Sequence, residues 1–294
     1  MPAQPEAFFL SVDGGRLGQR FCLFHPAQGG VPKGCVLYIH PFAEEMNKSR
    51  RMAALQARAL AKAGYAVLQI DLFGCGDSSG DFGDASWQDW VGDVVQGSHW
   101  LRSRTTLQGA VLGSVPLWLW GLRAGCLLAA EAATHLTDPC NFLFWQPPSS
   151  GKPLLQQFLR LKVAGAMLGG TAKGLAENLR QQLAAGATID VAGYLLSPGL
   201  AMGLDLAVLA PPGRFELEGT TARLEWFEMS AREDAALSPV SHKATAQWGQ
   251  AGFAVRSHIV TGPSFWQTSE IEQSPALIDA TIAGLAQLEQ TAAA

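Results

Sequence analysis

The segment Pro116-Leu-Trp-Leu-Trp-Gly-Leu-Arg-Ala-Gly125 constrains this chain more than any other. A continuous apolar run, typical of a strand buried on both faces, enters Gly121-Leu122-Arg123-Ala124-Gly125 and continues into a helix of small residues. This is the frame of G-x-S-x-G, the sharp strand–turn–helix elbow that lifts a serine above a sheet. Arg123 stands where the serine would be. An arginine stays protonated and is no nucleophile. The frame predicts a fold, and its central residue argues against the reaction that usually accompanies it.

The rest of the chain repeats the pattern. Apolar runs at Gly34–His40, Tyr65–Leu72 and Cys140–Trp145 alternate with helical stretches at Ser49–Ala63 and Ser86–Arg104. Residues 7–27 read as a hairpin turning at Asp13-Gly14-Gly15. Strand alternation returns at Arg223–Met229 and Ala254–Val260, with helices at about 239–251 and 275–290. Strands alternating with helices imply a mostly parallel central sheet covered on both faces. Together with the elbow this predicts an α/β class chain with an α/β-hydrolase fold. Its core is expected at 1–148 and 221–294. A small helical lid insertion is expected at 149–220, with helices at Leu154–Leu168 and Lys173–Ala185.

A chain of 294 residues, 48% hydrophobic and 16% charged, buries a sizeable core. A net charge of −4 gives no basic footprint for nucleic acid. No run of about 18 uncharged apolar residues predicts an integral membrane segment. The N-terminus has no basic region leading into a signal-peptide core. The five cysteines, Cys22, Cys35, Cys75, Cys126 and Cys140, show no metal spacing and suit a reducing compartment. The expected location is cytoplasmic. No metal motif, P-loop or dinucleotide fingerprint appears, so no metal and no cofactor is expected.

In such a sheet, ligands bind beyond the carboxyl ends of the strands. His40-Pro-Phe-Ala-Glu-Glu-Met-Asn47 occupies the place of an oxyanion loop. Pro41 has no N–H, so Phe42 or Ala43 would donate. Asp71-Leu-Phe-Gly-Cys-Gly-Asp-Ser-Ser79 reads as a structural turn. Arg123 at a helix N-terminus needs an acidic partner: Glu44, Glu45, Asp234 or a bound anion. Glu233 or Asp234 follows the strand after which a triad acid normally lies. The expected histidine loop, Thr261–Thr268, carries Phe265 and Trp266 instead, candidates for ligand contact. His258 falls inside a strand and His242 inside a helix. Cys126 reads as a packed small residue, and Ser114 as lying at the opposite end of the sheet.

The stretches His40-Pro-Phe-Ala-Glu-Glu-Met-Asn-Lys-Ser49, Asp71-Leu-Phe-Gly-Cys-Gly-Asp-Ser78, Trp120-Gly-Leu-Arg-Ala-Gly125 and Gly262-Pro-Ser-Phe-Trp266 resemble one family. It is the second hydrolase-like protein associated with the exosortase A system of Gram-negative bacteria. The resemblance spans nearly the whole chain, and HPFAEEMNKSRRM is its most specific piece. It implies an α/β-hydrolase fold, a setting of exopolysaccharide synthesis, and an arginine elbow as a family feature. Fold alone does not establish a reaction.

Three functions are consistent with these residues. The first is a catalytically degenerate hydrolase, a pseudoenzyme whose Arg123 anchors an anionic small molecule, a saccharide-related ligand or a partner. The second is a hydrolase of esters or acylated saccharide precursors, with water activated by Glu44 or Glu45. The third is an interaction component docking through apolar 153–170, as a homodimer or on an exopolysaccharide-system protein.

Overall fold

The computed structural model describes residues 4–12, 18–107, 115–167, 174–213 and 221–286. The turn expected at Asp13-Gly14-Gly15, Ser114 and the chain after residue 286 lie outside these. So do the expected helix limits Leu168 and Lys173.

Eight strands form one sheet: β1 (Glu6–Val12), β2 (Gly18–His25), β3 (Gly34–Ile39), β4 (Tyr65–Ile70), β5 (Leu117–Leu122), β6 (Asn141–Trp145), β9 (Arg223–Ser230) and β10 (Ala254–Thr261). Their spatial order is β1-β2-β4-β3-β5-β6-β9-β10. β1 pairs antiparallel with β2, and β2 with β4; every pairing from β4 to β10 is parallel. The central strands β3 and β5 are buried at every position, which explains their unbroken apolar runs.

Two helical layers cover the sheet. α1 (Glu44–Lys62) and α8 (Pro275–Ala286) lie on one face, where Met52, Leu60 and Leu277 pack with Tyr38, Trp118 and Trp120. α2 (Trp87–Leu107), α3 (Ala124–Ala133) and α7 (Pro239–Gln250) lie on the other, with Trp90, Leu127 and Trp248 in its core. α1 starts five residues earlier than Ser49, the start the sequence pattern suggests. Glu44 and Glu45 therefore form its first turn, where carboxylates oppose the partial positive charge of the helix end.

One buried ion pair ties three elements together. Arg20 of β2 donates to Asp93 of α2 at 2.7 Å, and both side chains are 1% exposed. The second Asp93 oxygen accepts from the Phe73 N–H, 2.7 Å away, in the turn after β4. Burial pushes the Asp93 carboxyl up to about 6, against the opposing pull of Arg20.

Between β6 and β9 the chain forms α4 (Lys152–Met167), α5 (Leu175–Ala184), a hairpin of β7 (Ile189–Val191) and β8 (Tyr194–Leu196), and α6 (Pro198–Leu206). The hairpin and α6 replace what reads as irregular chain in the sequence. Three-residue strands are too short for alternation to register. Ser197 caps α6 by accepting from the Leu200 N–H, the signal that marks that helix start. The segment leaves and rejoins the core at one place: Leu209 N–H donates to Ser149, and Gly151 N–H to Ala207.

Candidate functional site

The elbow is built as its glycines require. A Cβ on Gly121 would lie 2.5 Å from the Cys126 nitrogen, and one on Gly125 would lie 2.2 Å from the Ile39 oxygen. Only glycine lets β5, α3 and β3 approach this closely. Arg123 is the N-cap of α3 with φ 54 and ψ −117, a left-handed conformation costly for a side-chain-bearing residue. Its N–H donates to the Trp145 carbonyl at 3.0 Å, which holds the turn. Ala43, at the end of the loop after β3, has nearly the same geometry, φ 49 and ψ −125. The two strained residues place the N-termini of α1 and α3 at one end of the sheet.

There Arg123 meets Glu45. Nε and Nη2 both lie 3.3 Å from Glu45 Oε1, with the side chains 13% and 9% exposed. Nη2 also donates to Gln157 Oε1 of α4 at 3.3 Å, and the guanidinium lies 5.8 Å from the centre of the Trp266 ring. The second Glu45 oxygen is buried without a hydrogen bond of good geometry, with the Gln267 side chain near the carboxylate. Burial pushes the Glu45 carboxyl up to about 7; Arg123 opposes this and Glu44 reinforces it. Burial also pushes the half-buried Glu44 upward.

Little room remains above this pair. A cavity of about 10 Å³ lies between Phe42, Glu44, Glu45, Leu154, Gln157 and Phe158. One water fills such a volume. Aromatic rings occupy the space around it. Phe158 of α4 sits edge-on to Phe42, with ring centres 5.1 Å apart, and Tyr194 sits edge-on to Phe82 at 5.2 Å. Asn47 donates to the Tyr194 hydroxyl at 3.1 Å, joining α1 to the β7–β8 hairpin. α4 rests on the elbow.

Other residues singled out in the sequence fall elsewhere. Asp234 and Glu233 are exposed and make no ion pair among the described residues, so Asp234 is not the partner of Arg123. Its turn after β9 projects into solvent. His40 is buried with both ring nitrogens engaged. Nδ1 lies 2.8 Å from the Pro41 carbonyl, and Nε2 accepts from the Leu72 N–H at 3.3 Å. Nδ1 therefore carries the proton, and burial lowers the pKa, so this neutral ring braces two loops. His258 binds Glu225 at 2.8 Å from within β10. Phe265 is fully buried against Trp145 and contributes core packing, while Trp266 alone of that pair reaches the guanidinium. Cys126 is buried and its thiol is pushed well up by burial; all five cysteines are free and buried. Among the described residues no group of three or more His, Cys, Asp or Glu could hold a metal ion.

The sequence gives no warning of Gln157 or Phe158. Both lie in an amphipathic helix whose docking partner is set only by the tertiary fold.

The molecule superposes on Est1E from Butyrivibrio proteoclasticus, solved with ferulic acid bound, with a TM-score of 0.62. That match has 15% identity and covers 97% of this chain and 100% of that one. A soluble variant of monoglyceride lipase from Saccharomyces cerevisiae, solved with a substrate analogue, gives 0.58 at 16% identity, over 97% and 94%. The fold is that of the α/β-hydrolases. In sequence, residues 13–114 match the X-Pro dipeptidyl-peptidase (S15 family). A thermostable monoacylglycerol lipase from Bacillus sp. (strain H-257) is 31% identical over 108 residues. That alignment covers 37% of this α/β-hydrolase-fold chain and only 38% of the lipase. No helix among the described residues is long and apolar enough to cross a membrane.

Proposed function

We propose that this α/β-hydrolase-fold protein binds an anionic ligand or partner at its elbow, through Arg123, in place of serine hydrolysis. The observation that carries this reading is the pairing itself. A guanidinium stands at the nucleophile position, and an internal carboxylate, Glu45, occupies the place of an external anion. The two form one shared contact and leave a Glu45 oxygen without a hydrogen bond of good geometry, a weaker arrangement than the two parallel bonds an arginine makes with a free carboxylate. An incoming carboxylate, phosphate or sugar acid competes for the same donors once α4 withdraws Gln157. The segment at 149–220 acts as the lid in this reading. The resemblance of the 40–49 and 120–125 stretches to the exosortase A-associated family supports acidic saccharides as ligands to try. Glucuronate, titrated by tryptophan fluorescence, is expected to bind saturably to the wild type. Binding is expected to vanish in Arg123→Ala while glucose binds neither protein; equal binding to both proteins would defeat the proposal.

A second reading rests on the Glu45 carboxyl, pushed up to about 7. Such a group is matched to general-base work near neutral pH. With the esterase and lipase likenesses, it supports water activation by Glu45 toward an ester or acylated saccharide. Short-chain ester turnover lost in Glu45→Gln but kept in Arg123→Ala would favour it over binding alone.

A further inference from the structure

A larger cavity lies away from the elbow, between α1 and the antiparallel edge of the sheet, and encloses about 180 Å³. Its origin is geometric. Phe21 and Leu23 of β2, Gln69 of β4 and Tyr38 of β3 point to the α1 face, while α1 offers the small Ala53 and Ala54 between Met46 and Arg50. Two methyl groups cannot fill the space that longer side chains would, so a slot remains with Arg50 and Asp71 at one end.

Its polar lining is Tyr38, Gln69, the half-exposed Arg50 and the carboxylate of Asp71, with the neutral His40 ring beside them. Tyr38 is 5% exposed as a residue and lines the slot, and its hydroxyl is accessible from the slot. Burial pushes its pKa up, so it remains a donor. The Gln69 carbonyl is taken by His25 at 3.0 Å, which leaves its NH₂ group. Arg50 uses one nitrogen on Asp71, at 3.1 Å, and its Nε and Nη1 have no partner among the described residues. Asp71, which also lines the slot, has its Oδ2 engaged by Arg50 and by the Asp77 N–H at 3.2 Å. The pair is a built feature: a Cβ on Gly76 would lie 1.9 Å from the Asp71 carboxylate and 2.4 Å from Arg50. This accounts for a glycine in the Asp71–Ser79 turn, which the elbow does not use.

We infer that this slot is a second binding site, separate from the elbow, for a short-chain carboxylate. The carboxylate accepts from Arg50, Tyr38 and Gln69, and the chain lies against Leu23, Ala53 and Ala54. By the measure that gives room for one water at the elbow, the slot has ample room for a small organic anion such as butanoate. The inference does not depend on what Arg123 binds.

Calorimetric titration of the full chain with butanoate, and with butan-1-ol as the uncharged control, tests it. Butanoate is expected to bind saturably and butan-1-ol about tenfold or more weaker. Ala54→Phe, which fills the slot, is expected to abolish binding. Tyr38→Phe, which changes no volume appreciably, is expected to weaken it about two- to tenfold, the range of one hydrogen bond, with an unchanged melting temperature. Arg123→Ala is expected to leave it intact. No saturable binding to the wild type, or binding that survives Ala54→Phe, overturns the proposal. So does binding lost in Arg123→Ala, which would move the ligand to the elbow. Should Ala54→Phe fail to fold, Tyr38→Phe decides alone: affinity equal to wild type refutes the site.

Discussion

At the scale of single residues, the elbow has the glycine frame of G-x-S-x-G with Arg123 at its centre. Gly121 and Gly125 meet the steric demands of the turn, and Arg123 accepts the same strained backbone a nucleophile would. Gly125→Ala is expected to destabilise the protein by about 1–3 kcal/mol in chemical denaturation, because its Cβ would collide with the Ile39 carbonyl. Placing a serine there tests whether this elbow can support serine chemistry. Arg123→Ser is expected to show no turnover of p-nitrophenyl butyrate, since a serine needs a base in contact and the 261–268 loop supplies Phe265 and Trp266. A multiple-turnover rate in that variant would show that a base is within reach. The elbow was legible in the sequence because its demands are local: glycines at fixed spacing, a strand before, a helix after. Glu45 was legible as one of several acids. What singled it out is the early start of α1, which turns Glu45 inward to Arg123 and leaves Asp234 in solvent.

At the scale of elements, the parallel strands were legible as unbroken apolar runs and the large helices by periodicity. The β7–β8 hairpin was not, since three residues carry no period. The contacts of α4 were invisible for a different reason. Nothing in Gln157-Phe158 distinguishes a side chain docked on an elbow from one on any amphipathic helix. Phe158, 3% exposed, is wedged against Phe42 and Tyr194. Removing that ring should loosen α4 from the elbow while leaving the sheet intact. Phe158→Ala is expected to cost about 3–5 kcal/mol and to make residues 149–213 the first site of limited proteolysis. Cleavage spread evenly over the chain would mean that this segment does not open separately.

At the scale of the whole molecule, two buried carboxyls, Glu45 and Asp93, are raised to about 7 and about 6. A carboxyl raised on folding binds its proton more tightly in the native state. Its contribution is therefore fully present below its unfolded value and is lost as pH rises through its folded one. For Glu45 that window runs from 4.5 to about 7, and the shift corresponds to roughly 3 kcal/mol. Wild-type stability is expected to fall between pH 5 and 7, and Glu45→Gln to flatten much of that slope. Parallel pH profiles of the two proteins would contradict the assignment.

The same titration bears on the elbow. Protonated Glu45 no longer competes as an anion for Arg123, so ligand binding and Glu45 ionisation oppose each other. The decisive measurement is the affinity of glucuronate for wild type and Glu45→Gln at pH 6 and pH 8. If Arg123 is an anion anchor held by its own carboxylate, the wild type binds more tightly at pH 6 than at pH 8. Glu45→Gln then binds tightly at both. Affinity that is the same in both proteins at both pH values would contradict the account.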